Sequence, residues 1–494
     1  MGTEVNKEQF GEAEYARFRA RLDQSLSVLA GLLERPDFGA GPATVGAELE
    51  LFLIDGAGRP LPRNQAVRAA AADSRVTLEL DRFNLELNAS PVGLAGRPFT
   101  ALGAELELLL GQVGDAARAY GGRPALVGIL PTLRRADLHP GVMTDAARYR
   151  ALNQGLRRLR PDPFRIRIAG QDPLELASDD VVPEGANTSF QVHLRVDPAD
   201  FTRTYNAVQL ATAPVLAVSG NSPTFLGHRL WEETRITLFK HAVDDRQAAG
   251  PRRRPPRTSL GTGWLRGGPV ELFAESVRLH QPLLPVVSDE EPLPGRTGPF
   301  PPPLEELRLH QSTIWRWNRA IYDPAAGGHL RIEMRALPSG PTMIDMLANA
   351  AFLIGLSLSL ASQDPEWTDT LPFGRAADGF YRAAQHGLAA QLSWPAGPPY
   401  QMRTAAAAEL VPELLPQAGQ GLIQAGVAPE ETHRLLQVIS ERVAHGQTGA
   451  AWQRATLAAL ERRLDRDQAL AAMLERYLDH AATGRPVHTW PLPG

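Results

Sequence analysis

Four short segments of this chain place acids, amides and cations on every second residue. Glu48 and Glu50 alternate with Val45, Ala47, Leu49, Leu51 and Leu53. Asn84, Glu86, Asn88 and Ser90 alternate with Leu85, Leu87 and Ala89. Ser189, Gln191, His193 and Arg195 alternate with Phe190, Val192, Leu194 and Val196. Arg331, Glu333 and Arg335 alternate with Leu330, Ile332 and Met334. Residues two apart on a strand share a face, roughly 7 Å from one another. If the four segments share one antiparallel sheet, one face is apolar and the other carries carboxylates, a histidine and arginines. Carboxylate oxygens suit Mg²⁺ and guanidinium groups suit phosphate, so the pattern predicts a metal–phosphate surface. One such strand is ordinarily just the wet face of a sheet. Four that repeat Glu are a different case, because Glu is depleted in strands and adjacent like charges destabilise a sheet unless a cation or partner offsets them.

Other residues carry weaker signals. Glu79 and Asp81 lie close to Glu86 in sequence and could substitute for it as carboxylate ligands, but they read first as the solvated end of a hairpin. Arg229 and Arg235 are spaced to hold a substrate carboxylate bidentately or to pair with Glu232 and Glu233. Arg252, Arg253, Arg254 and Arg257 form a basic cluster in a Pro/Gly-rich loop, read as solvated, with a lid over phosphates as the sharper alternative. The stretch Trp315 to Arg319 reads either as the lining of a pocket or, more ordinarily for an aromatic stripe, as core, and no role is assigned to it.

These positions need a scaffold. Periodicity predicts helices near 8–34, 100–120 and 144–158, strands near 44–54, 76–80 and 83–90, and a buried strand at 124–130. The 189–196 strand leads through Asp197-Pro198 into a helix ending near 219. Residues 246–303 form a long excursion with one helical island at 269–279. The 329–336 strand leads into an apolar helix at 343–361, read as a buried core helix because Asp345 and Asn349 interrupt it. From 375 to 482 the pattern is helical. Strands and helices do not alternate as in a doubly wound fold, so the expected class is α+β with an antiparallel sheet.

Composition removes several chemistries. The 494 residues include no cysteine, so no disulfide, thiolate metal site or cysteine nucleophile exists. Lys7 and Lys240 are the only lysines, and neither sits in a P-loop. Phosphate handling therefore falls to arginine and metal ions. The net charge of −4 argues against a nucleic-acid partner. The charged N-terminus lacks a signal-type apolar run, and the expected setting is cytoplasmic, without membrane attachment. The expected partners are small-molecule substrates, and a homo-oligomer stays open.

The segment LRIEMRALPSGPT at 330–342, followed by LANAAFLIGL, resembles the glutamate–cysteine ligase family, especially its plant-type and bacterial carboxylate–amine ligase branches. GAELELFL at 46–53, ELNASP at 86–91, QVH at 191–193 and NSP at 221–223 add to the resemblance in the family's order, from about residue 44 to 360. The resemblance implies a glutamine-synthetase-like fold whose curved antiparallel sheet forms an active-site funnel flanked by helices. A catalytic domain over 1–370 and a helical C-terminal extension over 371–494 are expected. The implied cofactors are ATP and Mg²⁺. The implied ligands are Glu48 and Glu50 for the metal ions, Glu86 for a second site and Glu333 for a metal bridging the phosphates. Arg335 is implied on the γ-phosphate, with Arg331 in similar geometry, and Gln191 and His193 at the nucleotide or metal. Asn221 and Ser222 are implied near the amino-acid substrate, with Arg229 and Arg235 on its carboxylate. The implied reaction phosphorylates the γ-carboxylate of glutamate and joins it to cysteine. The alternatives are another amine, another amino acid, or a non-catalytic binding protein on the same fold. The sequence departs from the family at Asp81-Arg82-Phe83, where glycine-rich pieces are usual, and in its helical C-terminal quarter. Glu333→Gln and Arg335→Ala are each expected to abolish turnover and leave the fold intact.

Overall fold

The alternating segments become neighbours in a single sheet. The computed structural model describes residues 5–247, 254–291, 301–363 and 365–492. In chain order the strands are β1 (Thr44–Asp55), β2 (Val76–Leu78), β3 (Asn84–Gly93), β4 (Gly122–Ala125), β5 (Phe164–Ile168), β6 (Leu174–Ser178) and β7 (Phe190–Val196). Then come β8 (Thr224–Phe225), β9 (His228–Arg229), β10 (Asn318–Asp323), β11 (His329–Met334), β12 (Gln391–Ala396) and β13 (Gln401–Ala406). The main sheet has the order β10-β11-β7-β1-β3-β2, with β4 also on β1, and every pairing is antiparallel. The three other strand pairs are separate two-stranded ribbons.

Burial follows the alternation. Val45, Leu49, Leu51, Leu53, Leu85, Leu87, Val192, Leu194, Leu330, Ile332 and Met334 enter one apolar core. Against it lie the helices Pro98–Arg118, Phe201–Ser219, Met343–Ala361 and Ala407–Gln424, whose apolar residues join the same cluster. Thr342 starts the Met343–Ala361 helix by capping it: its Oγ1 accepts from the Asp345 amide at 3.3 Å. This helix is long and apolar enough to cross a membrane, yet 83% of its most apolar window is buried inside the protein. The α+β class and the helical C-terminal region are as expected, and the sheet curls into a half-barrel.

Several local expectations are corrected. The strand expected at 124–130 ends at Ala125. Val127, Ile129 and Leu130 are fully buried, but Thr188 satisfies this backbone from outside the ladder, its amide donating to the Gly128 carbonyl at 3.0 Å and its hydroxyl to that of Val127 at 2.6 Å. The β12–β13 ribbon interrupts the region expected to be helical. β10 and the β5–β6 ribbon were not anticipated. Arg252 and Arg253 lie outside the described residues. Arg257, expected in a solvated loop, is fully buried, with its Nε donating to Asp245 at 2.6 Å.

Candidate active site

Register converts the four polar faces into a lattice. Glu50 stands directly opposite Glu86, and Glu48 lies between Asn88 and Gln191. His193 lies opposite Glu333, and Arg319 on β10 lies on the other side of Glu333. Glu48, Glu50, Glu86, Gln191, Arg331, Glu333 and Arg335 all line one cavity of about 740 Å³. His193 stands at its wall, in contact with Glu48 and Arg331.

The acids fall into two groups with opposite electrostatics. In the first, carboxylate and imidazole atoms of Glu48, His193 and Glu333 lie within 4.8 Å of one another. His193 Nε2 is 3.0 Å from Glu48 Oε1. Arg331 Nε lies 3.1 Å from His193 Nδ1, on the other side of the ring. Glu333 Oε1 accepts from Arg319 Nη2 at 2.9 Å and lies 3.3 Å from Arg335 Nη1, while Oε2 accepts from Arg319 Nε. Burial opposes ionisation of Glu333, but Arg319, Arg335 and His193 outweigh it and hold the carboxyl well below the usual range. For Glu48, too, burial is outweighed, chiefly by His193, and the carboxyl is lowered.

The second group is Glu50, Glu79 and Glu86, again with ligand atoms within 4.8 Å. Its protein partners are neutral donors. Glu50 accepts from the Ser189 amide at 2.6 Å and from Gln191 Nε2 at 2.9 Å. Glu86 Oε1 accepts from Thr77 Oγ1 and Asn88 Nδ2, both at 3.0 Å. Burial, with the charges of Glu48 and Glu50, pushes Glu86 up to about 8. Burial and the charges of Glu86, Glu50 and Glu184 push Glu79 well above its ordinary value. Glu184 is pushed up to about 8 by burial and Glu50. Three hard-oxygen ligands whose hydrogen-bond donors are neutral, with Arg335 acting on Glu50 and Glu86 through charge, match what Mg²⁺ requires. Burial works against the charge of Arg335, which bridges the two groups, but Glu333, Glu50, Glu48 and Glu86 keep it firmly protonated. Its Nη1 also donates to Gln191 Oε1.

The remaining candidates separate. Arg235 lines a small chamber beside the main cavity, with Glu50, Glu184, Trp315, Trp317 and Arg335. It pairs with Glu233 at 2.7 Å and donates to the Ala336 carbonyl. Arg229 lies elsewhere, on Asp172 at 2.7 Å, and not on Glu232 or Glu233. Asn221 and Ser222 line neither cavity: both are fully buried, Ser222 on Glu233 and Asn221 on Ser339 and Tyr477. Asp81 is fully buried and Glu79 belongs to the second acidic group, so neither ends a solvated hairpin. Sequence reading missed Glu184, and it gave Arg319 no role although the stretch that carries it reads also as pocket lining; Trp315 and Arg319 do line the main cavity. Arg319 carried a signal only through β10, where Ile321 interrupts the polar face.

The family model "Glutamate-cysteine ligase family 2" matches residues 44–267. No curated protein sequence matches the chain. Among solved structures, a glutamate–cysteine ligase from Francisella tularensis, in complex with AMP, is similar with a TM-score of 0.57 at 11% identity, over 93% of this chain and 91% of that one. A bifunctional glutathione synthetase from Pasteurella multocida is more distant, with a TM-score of 0.49 and 13% identity, over 95% of this chain and 55% of the other. At such identity the likeness is one of fold. The matched segment ends before β10 and β11, so Arg319, Glu333 and Arg335 stand on geometry and resemblance alone. Residues 44–267, which carry Glu48, Glu50, Glu86, Gln191 and His193, are thus the part of the chain that is similar to glutamate–cysteine ligase family 2.

Proposed function

We propose that the protein is an ATP- and Mg²⁺-dependent carboxylate–amine ligase, with glutamate and cysteine as the first substrate pair to test. The observation that carries this reading is one cavity in which a close triad of acids, Glu50, Glu79 and Glu86, lies with Arg335 and Arg331. Glu50, Glu79 and Glu86 supply the oxygen ligands for Mg²⁺, with Glu48 beside them. Bound Mg²⁺ would neutralise phosphate charge and align its oxygens. Arg335 holds the transferred phosphoryl group, and Glu333 with Gln191 keeps its guanidinium aimed into the cavity. Arg331, fixed by Asp323 and His193, offers a second cation to the phosphates. Arg235, which lines the chamber with Glu184 and is held by Glu233 and the Ala336 carbonyl, is the candidate for a substrate carboxylate. Phosphorylation activates the γ-carboxylate of glutamate as an acyl phosphate, and the amine displaces phosphate to give γ-glutamylcysteine.

The same machinery would join glutamate, or another amino acid, to a different amine. The test is phosphate release from ATP and Mg²⁺ with glutamate, with and without cysteine and a panel of amines, followed by the product mass. Cysteine-dependent release with a γ-glutamylcysteine mass supports the full reading. Release with a different amine keeps the reaction class and replaces the acceptor. No release with any pair, from protein that binds Mg-ATP, overturns the enzyme reading in favour of a binding protein.

A further inference from the structure

The C-terminal helices reach the loop that carries Arg335 through one buried polar network. This loop, residues 335–341, leaves β11 and is tied down along its length. The Arg335 amide donates to the Trp317 carbonyl at 2.9 Å, and the Leu337 carbonyl accepts from Phe190 at 2.9 Å. Ser339 Oγ donates to the carbonyl of Glu50 itself at 2.8 Å. The Ser339 carbonyl is held by Asn221 Nδ2 at 2.8 Å, and the same Nδ2 donates to Tyr477 Oη, also at 2.8 Å. Tyr477, on the helix Arg466–Ala481, donates in turn to the Leu126 carbonyl at 2.9 Å. Gln453, on the helix Gly449–Leu460, fixes the other end of the amide, donating to Asn221 Oδ1 at 2.9 Å. Asn221, Ser339, Gln453 and Tyr477 are each at most 1% exposed. Gly340 makes the approach feasible. Its φ is +75°, and a Cβ there would lie 2.2 Å from the Leu126 carbonyl oxygen and 2.7 Å from Tyr477 Oη.

Such a network is excessive for packing alone. Tyr477 is already held by Trp452 and Trp490, with ring centroids 6.1 and 5.3 Å away. Its hydroxyl adds direction: through Asn221 and Ser339 it fixes the backbone on which Glu50 and Arg335 are spaced. We propose that Tyr477 and Asn221 are positioning residues for the active site, and that the C-terminal helical region is a brace without which Arg335 is misaligned. This rests on the ligase reading above. Asn221, placed by resemblance near substrate, acts on this account through Ser339 and touches no substrate.

The test is Tyr477→Phe, which keeps the ring and removes only the hydroxyl, measured beside Met473→Ala, a fully buried residue of the same helix outside the network. Displacement of a catalytic group by a fraction of an ångström slows turnover on the order of tenfold or more. The expected result is that kcat of Tyr477→Phe falls by about tenfold while KM for ATP stays within twofold. Met473→Ala lowers the melting temperature yet keeps kcat. Gln453→Met, which releases the other end of Asn221, carries the same expectation and keeps the test decisive if Tyr477→Phe does not fold. A kcat within twofold of wild type in the folded variants overturns the proposal, as does a fall in kcat for Met473→Ala that tracks its loss of stability. Wild-type protein inactive with every substrate pair would instead overturn the ligase reading.

Discussion

Glu333 shows how one residue is decided by its neighbours. Its side chain is 3% exposed and meets Arg319, Arg335 and His193. Removing its charge leaves two partly buried guanidinium groups without their common anion. Glu333→Gln should therefore cost on the order of 3 kcal/mol as well as turnover, because breaking a buried ion pair strands the remaining charge. The earlier expectation that the fold stays untouched is revised in that respect, and a urea titration checks it. Arg335→Ala removes a cation that four carboxylates surround. It should lower phosphate release by at least about 10²-fold, the scale of losing one transition-state charge partner. A full rate in that variant would mean the β11 face is misassigned. Glu48, Glu50, Glu86, Glu333 and Arg335 were legible in the sequence because alternation names them directly. Arg319 was not, because its role comes from standing opposite Glu333, a register that no local pattern states.

At the scale of the strand, the two faces of β3 should answer differently to substitution. Leu87 is fully buried in the core, and Leu87→Ala should cost about 2–5 kcal/mol. KM for ATP in that variant should stay close to wild type. Glu86 faces Glu50 directly across the pairing. Opposed like charges destabilise a sheet, so Glu86→Gln should leave the metal-free protein as stable as wild type or more so, and remove activity. Melting curves and phosphate release on both variants check the pair, and the same response from both would refute the division of faces. The β12–β13 ribbon marks where element reading failed. Its sequence, with Pro395 to Pro399 inside an Ala-rich region, carries no clean period-two pattern, and pairing between its own two halves sets its structure.

For the whole molecule, charge balance sets two expectations. Glu50, Glu79 and Glu86 crowd three carboxylates within 4.8 Å, so Mg²⁺ should stabilise the folded chain by about 2.7 kcal/mol at a hundredfold excess over its Kd. A melting temperature that ignores Mg²⁺ would contradict the assigned ligands. The second concerns pH. His310 is 2% exposed, its Nε2 is 3.1 Å from the Ser276 carbonyl, and burial with nearby Arg257 lowers it to about 4. The unfolded chain takes up this proton near pH 6.5, well before the folded one. Stability is thus full above about pH 6.5 and lost as pH falls towards 4, by about 2 kcal/mol at pH 5 from this residue. His310→Gln should flatten that loss in melting curves taken between pH 7 and 5. The sequence by itself determined the α+β class, the buried helix at 343–361, the absence of thiol and P-loop chemistry, and the strands that carry the acids. Alternation and composition are local properties, and a chain displays them before it folds. Only the tertiary structure decided which acids already have a cation, that Glu79 joins Glu50 and Glu86, that Arg319 reaches Glu333, and that Asn221 answers to Tyr477, 256 residues away. Those facts depend on register and on contacts distant in sequence, and no window of residues contains them.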